Sequence, residues 1–476
     1  MSESATPRGR GANIIFVKKG RRASSCAMLC SDGDNTAFRP MNRLHNWSST
    51  ENNNNNAYNV NFSNGNNNNN NKSNTNNVRA VLAFSQYDLF RQPIPLFEFF
   101  KAYFDCRRKK RSTYAAIRFE VDYESDIVQL ANEVNSKSYM PESSLAFVID
   151  KPVKREVFAA SFRDRIVHHL LINKINHLFE RVFINDSYSC RENKGTHYAI
   201  KRVDHFIRSC SKNYTRDCYV LKLDIEGFFM HISRPLLYDK LHKFLIDNYD
   251  GLDLDIVLDL VRKIVFYEPT TGCRIKGRIT QWSDLPDKKS LFHAPADCGL
   301  PIGNLTSQVF ANFYMNDFDH FMKHTLGLRY YGRYVDDFVV VHCDKEFLKS
   351  LIPVVREFLY SHLGLTLHPR KVYLQHYSKG VKYLGAVINP NRIYITNRTW
   401  GNMYDRINQL NELVESTPPS RSDKQEFRSS INSYLGIMGH YATYHRSTTM
   451  LNKNLSSWWL SRIRIDNYCR KVSFIK

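Results

Sequence analysis

Residues 334–341 read YVDDFVVV, inside the longer stretch LRYYGRYVDDFVVVHC (328–343). Two adjacent carboxylates, Asp336 and Asp337, stand between aromatic and valine-rich runs. β-branched and aromatic residues on both sides predict a strand–turn–strand with both acids at its tip. One Asp in a turn needs no special account, because its side chain bonds neighbouring backbone groups. Two are different, since they repel each other and their apolar flanks exclude water. A third carboxylate, Asp224, ends another apolar strand, YVLKLDI (219–225). Acids at the ends of neighbouring buried strands offer the hard oxygen ligands that a pair of Mg²⁺ ions needs, held on rigid supports. Such a pair can activate a 3′-hydroxyl and steady a leaving pyrophosphate during in-line phosphoryl transfer.

The rest of the chain suits a polyanionic substrate. Its 476 residues are 42% hydrophobic and 13% aromatic, enough for two or three packed domains. The formal net charge is +21, with Lys and Arg scattered through the folded part rather than held in one tail, which points to nucleic acid. Ten Cys include no C-x-x-C pair; the nearest are Cys26 and Cys30. That pattern predicts neither a zinc site nor a disulfide framework, and a reducing compartment. The N-terminus MSESATPRGRGANIIFVKKG lacks a secretory apolar core, and no window reaches membrane-span length. The expectation is a cytoplasmic protein with no membrane partner.

Order is expected to begin near residue 83. IPLFEFFKAYFDCRRKKR reads as an amphipathic helix ending in the basic run 107–111, a solvated helix end or a phosphate contact. Ile127, Leu130, Ala131 and Val134 recur at helical spacing, and LAFVIDKPVKREVFAA reads as two strands with Pro152 at the turn. RIVHHLLINKINHLFE puts Val167, Leu171, Ile175 and Leu178 on one helix face. Its His168, His169 and His177 have no carboxylate in helical register, so no metal is expected there. PLLYDKLHKFLIDNY and QVFANFYMNDFDHFMKH read as helices, as do segments around 407–414 and 427–438, parted by Pro418 and Pro419.

Taken in order, these segments resemble a reverse transcriptase between about residues 95 and 390. KREVFAASFRDRIVHH (154–169) is similar to the fingers hairpin, which implies that Lys154 and Arg155 meet the incoming triphosphate. SYSCRENKGTHYAI (187–200) resembles the next fingers motif, with Arg191 and Lys194 near template or primer. LDIEGFFMHI (223–232) resembles the first palm motif. That match implies Asp224 and the Ile225 carbonyl as metal ligands, and Phe229 as the bulky gate under the sugar. YVDDF resembles the second palm motif, which completes the metal set with Asp336 and Asp337. HPRKVYL (368–374) is similar to the motif whose Lys, here Lys371, protonates pyrophosphate, and VKYLGAVI (381–388) to the primer grip, with Leu384 and Gly385. The implied fold is α+β, a right hand with fingers and palm over 83–390 and a helical thumb over 391–476. The implied cofactor is two Mg²⁺ ions, and the implied partners are template RNA, a primer strand and dNTPs.

The palm motif usually written Gln-Gly-x-x-x-Ser-Pro stands here as IGNLTSQ (302–308): Ile302 replaces Gln, Gln308 replaces Pro, and Gly303 and Ser307 remain. This variant, within GLPIGNLTSQVFANFYMNDFD, resembles the enzymes of diversity-generating retroelements. Those copy a template-repeat RNA, misincorporate opposite adenine and pass the altered cDNA to a target gene. The resemblance implies a bacterial or phage origin and a small basic oligomeric accessory protein. An aliphatic residue beside the templating base removes hydrogen-bonding groups that could hold the template. Retron-type and group II intron-type enzymes remain alternatives, as does an RNA-binding maturase-like protein without catalysis. The stretch after 390 carries no endonuclease or DNA-binding signature, an expectation against a mobile intron protein.

The same reading bears on residues 1–82. In ENNNNNAYNVNFSNGNNNNNNKSNTNN (51–77), 17 residues are Asn. Asn codons begin with paired adenines and end in a pyrimidine, so randomising the adenines creates no stop codon. A translated template repeat would therefore look like this segment, with Asn at the variable positions; a plain Asn-rich linker is the other reading. Both predict disorder, because so polar a run buries too little apolar surface to offset its ordering entropy.

Overall fold

The structure, a computed structural model, describes residues 92–476 apart from 109, 112, 151–152, 416–417 and 476. It also describes three backbone stretches nearer the N-terminus. The chain divides into two compact units, 1–90 and 91–476. In the first, His45–Glu51, Asn56–Asn61 and Asn67–Asn71 pair in that order as antiparallel strands. This pairing adds a feature that polar composition does not predict. The rest of the segment expected to be disordered lies outside the described residues.

The second unit is built around a four-stranded antiparallel sheet in the order Tyr373–His376, Tyr219–Leu223, Asp337–His342, Tyr331–Tyr334. Its two central strands, YVLKL and DFVVVH, are largely apolar because both of their faces are covered. Leu221, Leu223, Phe338 and Val340 join one core with the helices Phe162–Val182, Leu305–Tyr314 and Lys345–Leu363. Val220, Val339 and Val341 join a second core with the helix Thr196–Cys210 and the hairpin Val381–Tyr383/Ala386–Asn389. Each such side chain contributes roughly 1.5–3 kcal/mol by leaving water.

The expected helix Leu96–Arg107 forms, and Ile127, Leu130, Ala131 and Val134 are all buried on the helix Tyr123–Asn135. Phe162–Val182 starts at Ser161, whose hydroxyl accepts from the Asp164 amide at 3.1 Å, satisfying a donor the helix leaves unpaired. Leu145–Ile149 and Arg155–Ala159 pair as the expected hairpin; Pro152 lies outside the described residues. Arg274–Ile275 adds a short parallel strand to it, drawn from the segment 267–298 between the first palm motif and IGNLTSQ.

Two elements differ from the reading of the sequence. The helix expected through 308–324 is interrupted: Leu305–Tyr314 ends at Met315, Asn316–His320 resumes, and Phe321–Thr325 closes as a π-helical turn. The C-terminal region is helical over Asn397–Glu412, Arg421–Met438 and Tyr444–Asn454, but a hairpin, Ile463–Ile465 with Val472–Phe474, closes one side of its core. The Phe427 and Trp459 rings stack there at 4.1 Å. Among the described residues, no helix is long and apolar enough to cross a membrane.

Candidate active site

The three acids meet at one end of the central sheet. The ladder pairs Leu223 with Phe338, so its next rung sets Asp224 opposite Asp337. Both share the strand face of Val220 and Val339, since side chains alternate along a strand. Tyr334 pairs with Asp337, leaving only Val335 and Asp336 in the connecting loop. The first residue of such a two-residue turn takes a positive φ when the turn is of type II′, a position that favours Gly. Here it is a valine, Val335, at φ 58°.

Crowding sets the electrostatics. Burial first, then the carboxylates of Asp224 and Asp337, push Asp336 up to about 7. Asp337 is raised by burial and by Asp224, with Lys222 and Lys371 opposing. Lys371 donates from Nζ to Asp224 Oδ2 at 2.5 Å. Burial works against the Lys371 charge, but this bond and the three carboxylates outweigh it and raise its pKa. The Asp224 carbonyl accepts from the His368 amide at 2.8 Å, and the Glu226 amide donates to Thr366 O at 2.9 Å. The Ile225 carbonyl takes part in neither bond.

Among the described residues no three Asp, Glu, His or Cys side chains form a ready-made metal cage. The donor chemistry nonetheless fits a divalent cation. Three carboxylates repel one another at a half-buried strand end, where the Lys371 ammonium bonds Asp224 and the Lys222 charge opposes them from the same strand. His168, by contrast, is buried and pushed down to about 3 by that burial, so it stays neutral beside Thr306.

The residues expected to face the nucleotide stand on smaller parts of the fold. Phe229 and Ile302 pack on one apolar cluster with Ala146, Phe158, Met230 and Leu291. Phe158 N donates to Ile302 O at 2.9 Å, and Leu300 N to Phe229 O at 2.8 Å. Gly303 has φ 126°, and a Cβ there would stand 2.8 Å from Val157 Cγ1. Gln308 is exposed and accepts from Cys190 Sγ at 3.1 Å. Lys154 reaches Asp284 at 3.4 Å, while Arg155 is exposed at the start of its strand.

The two expected template contacts are turned toward the protein. Arg191 grips Glu180 through Nε and Nη2 and donates to the carbonyls of Ile184 and Ser187. Lys194 donates to Asn185 and to the Tyr198 hydroxyl. Leu384 and Gly385, both at positive φ, form the two-residue turn of the grip hairpin.

Three features escaped the motif reading. Glu156 is 1% exposed and accepts from Trp282 Nε1 at 2.6 Å, Ser290 Oγ at 3.0 Å and the Leu291 amide at 2.6 Å. It thereby fastens the segment 279–293 to the strand Arg155–Ala159. Lys222 donates to Lys382 O at 2.7 Å, tying the Asp224 strand to the grip. Arg333 lies wholly inside the protein beside Asp319. The only signal for the last two was a lone cation inside an apolar strand.

Several known proteins are similar to this chain. Protein YkfC of Escherichia coli (strain K12) is 23% identical over 290 residues, covering 54% of this chain and 69% of that protein. Apo telomerase from Candida tropicalis truncated from the C-terminal domain matches at 13% identity and TM-score 0.40, covering 56% of this chain and 59% of that one. Apo telomerase from the same organism matches at 12% identity and TM-score 0.41, covering 70% and 63%. The chain thus spans about three fifths of the telomerase chains it matches. A family model described as reverse transcriptase (RNA-dependent DNA polymerase) matches residues 151–388, half of the chain. With its acids, strand order and motifs in place, this chain belongs to the reverse transcriptase family.

Proposed function

We propose that the protein is an RNA-directed DNA polymerase that copies a template-repeat RNA and misincorporates opposite adenine, supplying mutagenised cDNA to a target gene. The observation that carries the polymerase part is Asp224 opposite Asp337, with Asp336 beside them and Lys371 within hydrogen-bond reach. Reverse transcriptases use divalent metal ions; here two Mg²⁺ would be held by Asp224, Asp336, Asp337 and the Ile225 carbonyl, supplying a more acidic 3′-hydroxyl and charge neutralisation on pyrophosphate.

The chain's own residues do the rest. Lys154 and Arg155 meet the triphosphate, and Phe229 excludes a 2′-hydroxyl from under the sugar. Lys371 Nζ leaves Asp224 and carries the proton for the departing pyrophosphate as the primer oxygen–phosphorus bond forms. Leu384 and Gly385 hold the primer end. A small basic accessory protein is the expected partner, along with template RNA, primer and dNTPs.

The retroelement reading is supported by Ile302. It packs on the apolar cluster that includes Phe158 and Met230 and carries no polar group to hold a template base. Gln308, in place of proline, reaches the fingers motif at Cys190. The test is primer extension by the purified full chain with Mg²⁺ on an RNA template, followed by sequencing of the cDNA. Errors concentrated at template adenine support the proposal. Even, low error rates with intact synthesis would favour a retron-type enzyme, and no synthesis at all a maturase-like protein.

A further inference from the structure

We propose that Arg333 is a positioning residue for the metal-binding turn, holding Val335 in the conformation that presents Asp336 and Asp337. This rests on the assignment of those acids to the metals. Arg333 and Asp319 are both 0% exposed. The guanidinium donates from Nε to Asp319 Oδ1 at 2.8 Å and from Nη2 to Oδ2 at 2.6 Å. Further contacts reach Asn312 Oδ1 at 3.3 Å and Ser187 Oγ at 3.4 Å. Asp319 also accepts from the Tyr331 hydroxyl at 2.6 Å.

A buried ion pair is not by itself a stabilising choice, since apolar residues of similar volume often serve as well. One bond explains what an apolar replacement would lose. Arg333 Nη1 donates to the carbonyl of Val335 at 2.8 Å. Val335 stands at φ 58°, a region β-branched side chains resist, immediately before Asp336. The guanidinium fork is the group able to hold both Asp319 oxygens and that carbonyl at once. Asn312, which contacts the same guanidinium, lies on the helix Leu305–Tyr314 and donates to Ser189 O at 2.6 Å. The turn, the IGNLTSQ helix and the 187–200 motif are therefore fastened at one buried cation.

The test uses the full chain with a primer–template. Arg333→Lys keeps the charge but cannot span the three acceptors. Arg333→Gln with Asp319→Asn removes both charges together and is the variant expected to fold if the first does not. The readouts are Mn²⁺ binding by electron paramagnetic resonance, the Mg²⁺ dependence of primer extension, and melting temperature. Either folded variant is expected to need roughly 10- to 100-fold more metal for half-saturation, as when groups that orient metal ligands are lost. A lower melting temperature with wild-type metal half-saturation would overturn the proposal, and so would failure of both variants to fold. Val335→Gly added to Arg333→Lys should recover part of the metal affinity, because Gly takes a positive φ without help. An Asp336→Ala control separates the two assignments: if it retains Mn²⁺ affinity and activity, the metal assignment fails whatever Arg333 does.

Discussion

Replacing Gly303 by Ala places a methyl group against the strand Arg155–Ala159. Gly303 sits at φ 126°, and the added Cβ would lie 2.8 Å from Val157 Cγ1 and 3.0 Å from the Phe158 carbonyl oxygen. The valine can rotate. The carbonyl cannot withdraw without moving the strand Arg155–Ala159, which Phe158 N ties to Ile302 O. The backbone conformation costs an L-residue about 1–3 kcal/mol, and overpacking adds about 1–3 kcal/mol. Partial relaxation brings the expected loss to roughly 2–5 kcal/mol. A unit the size of 91–476 unfolds with an entropy of about 0.8 kcal/mol/K, so Tm should fall by roughly 2–6 °C. Because the displaced strand begins at Arg155, next to Lys154, KM for dNTP should rise about ten-fold, with a smaller change in kcat. Scanning fluorimetry and steady-state primer extension measure both. A folded Gly303→Ala protein with Tm within about 1 °C of the parent and unchanged KM would refute the reasoning.

Other expectations follow from the same geometry. Asp336→Ala with Asp337→Ala should abolish DNA synthesis while RNA binding, carried by dispersed basic contacts, survives in a filter assay; continued polymerisation would remove the acids from the metal site. Asp336 stands at about 7 in the folded protein against ~3.9 when unfolded. Its ionisation therefore opposes folding: stability is fully present below pH ~4 and is lost as pH rises to about 7. That interval is worth at most ~4 kcal/mol, and solvent reaching the half-buried turn leaves about 1–2 kcal/mol. Metal-free Asp336→Asn should thus melt about 1–3 °C above the parent at pH 8, the gap closing toward pH 4; a gap independent of pH would contradict this. Ile302→Gln should lower errors at template adenine about five-fold relative to guanine if the amide favours the correct nucleotide by about 1 kcal/mol. Its position on the apolar cluster with Phe158 warns of slower turnover, so the error ratio in sequenced cDNA is the measure, and an unchanged ratio sends the question to Gln308. Deleting residues 1–80 should leave Tm and polymerase activity unchanged, and a loss of several degrees would show that the segment supports the second unit.

The motifs were legible in the sequence because their chemistry is local. Asp224 and Asp336–Asp337 end apolar runs whose β-branched residues commit them to strands whatever surrounds them. The pairing of Asp224 with Asp337, by contrast, depends on a ladder joining strands more than 100 residues apart, and only the sheet sets that register. The periodic helices were likewise visible, whereas the interruption at Met315 was not, because nothing like Pro or Gly marks it. Arg191 shows where motif reading runs out. Its place in the series suggests an outward contact, but the fold brings Glu180 and two carbonyls around its guanidinium. Glu156 and Arg333 are the converse case, since charges that composition assigns to the surface lie inside, each satisfied by donors or acceptors from distant segments. Local propensity and side-chain chemistry sufficed for strands, helices and the acids that meet at the end of the sheet. What each buried charge faces was decided by tertiary packing, because desolvation and hydrogen-bond partners are properties of the assembled core rather than of any stretch of chain.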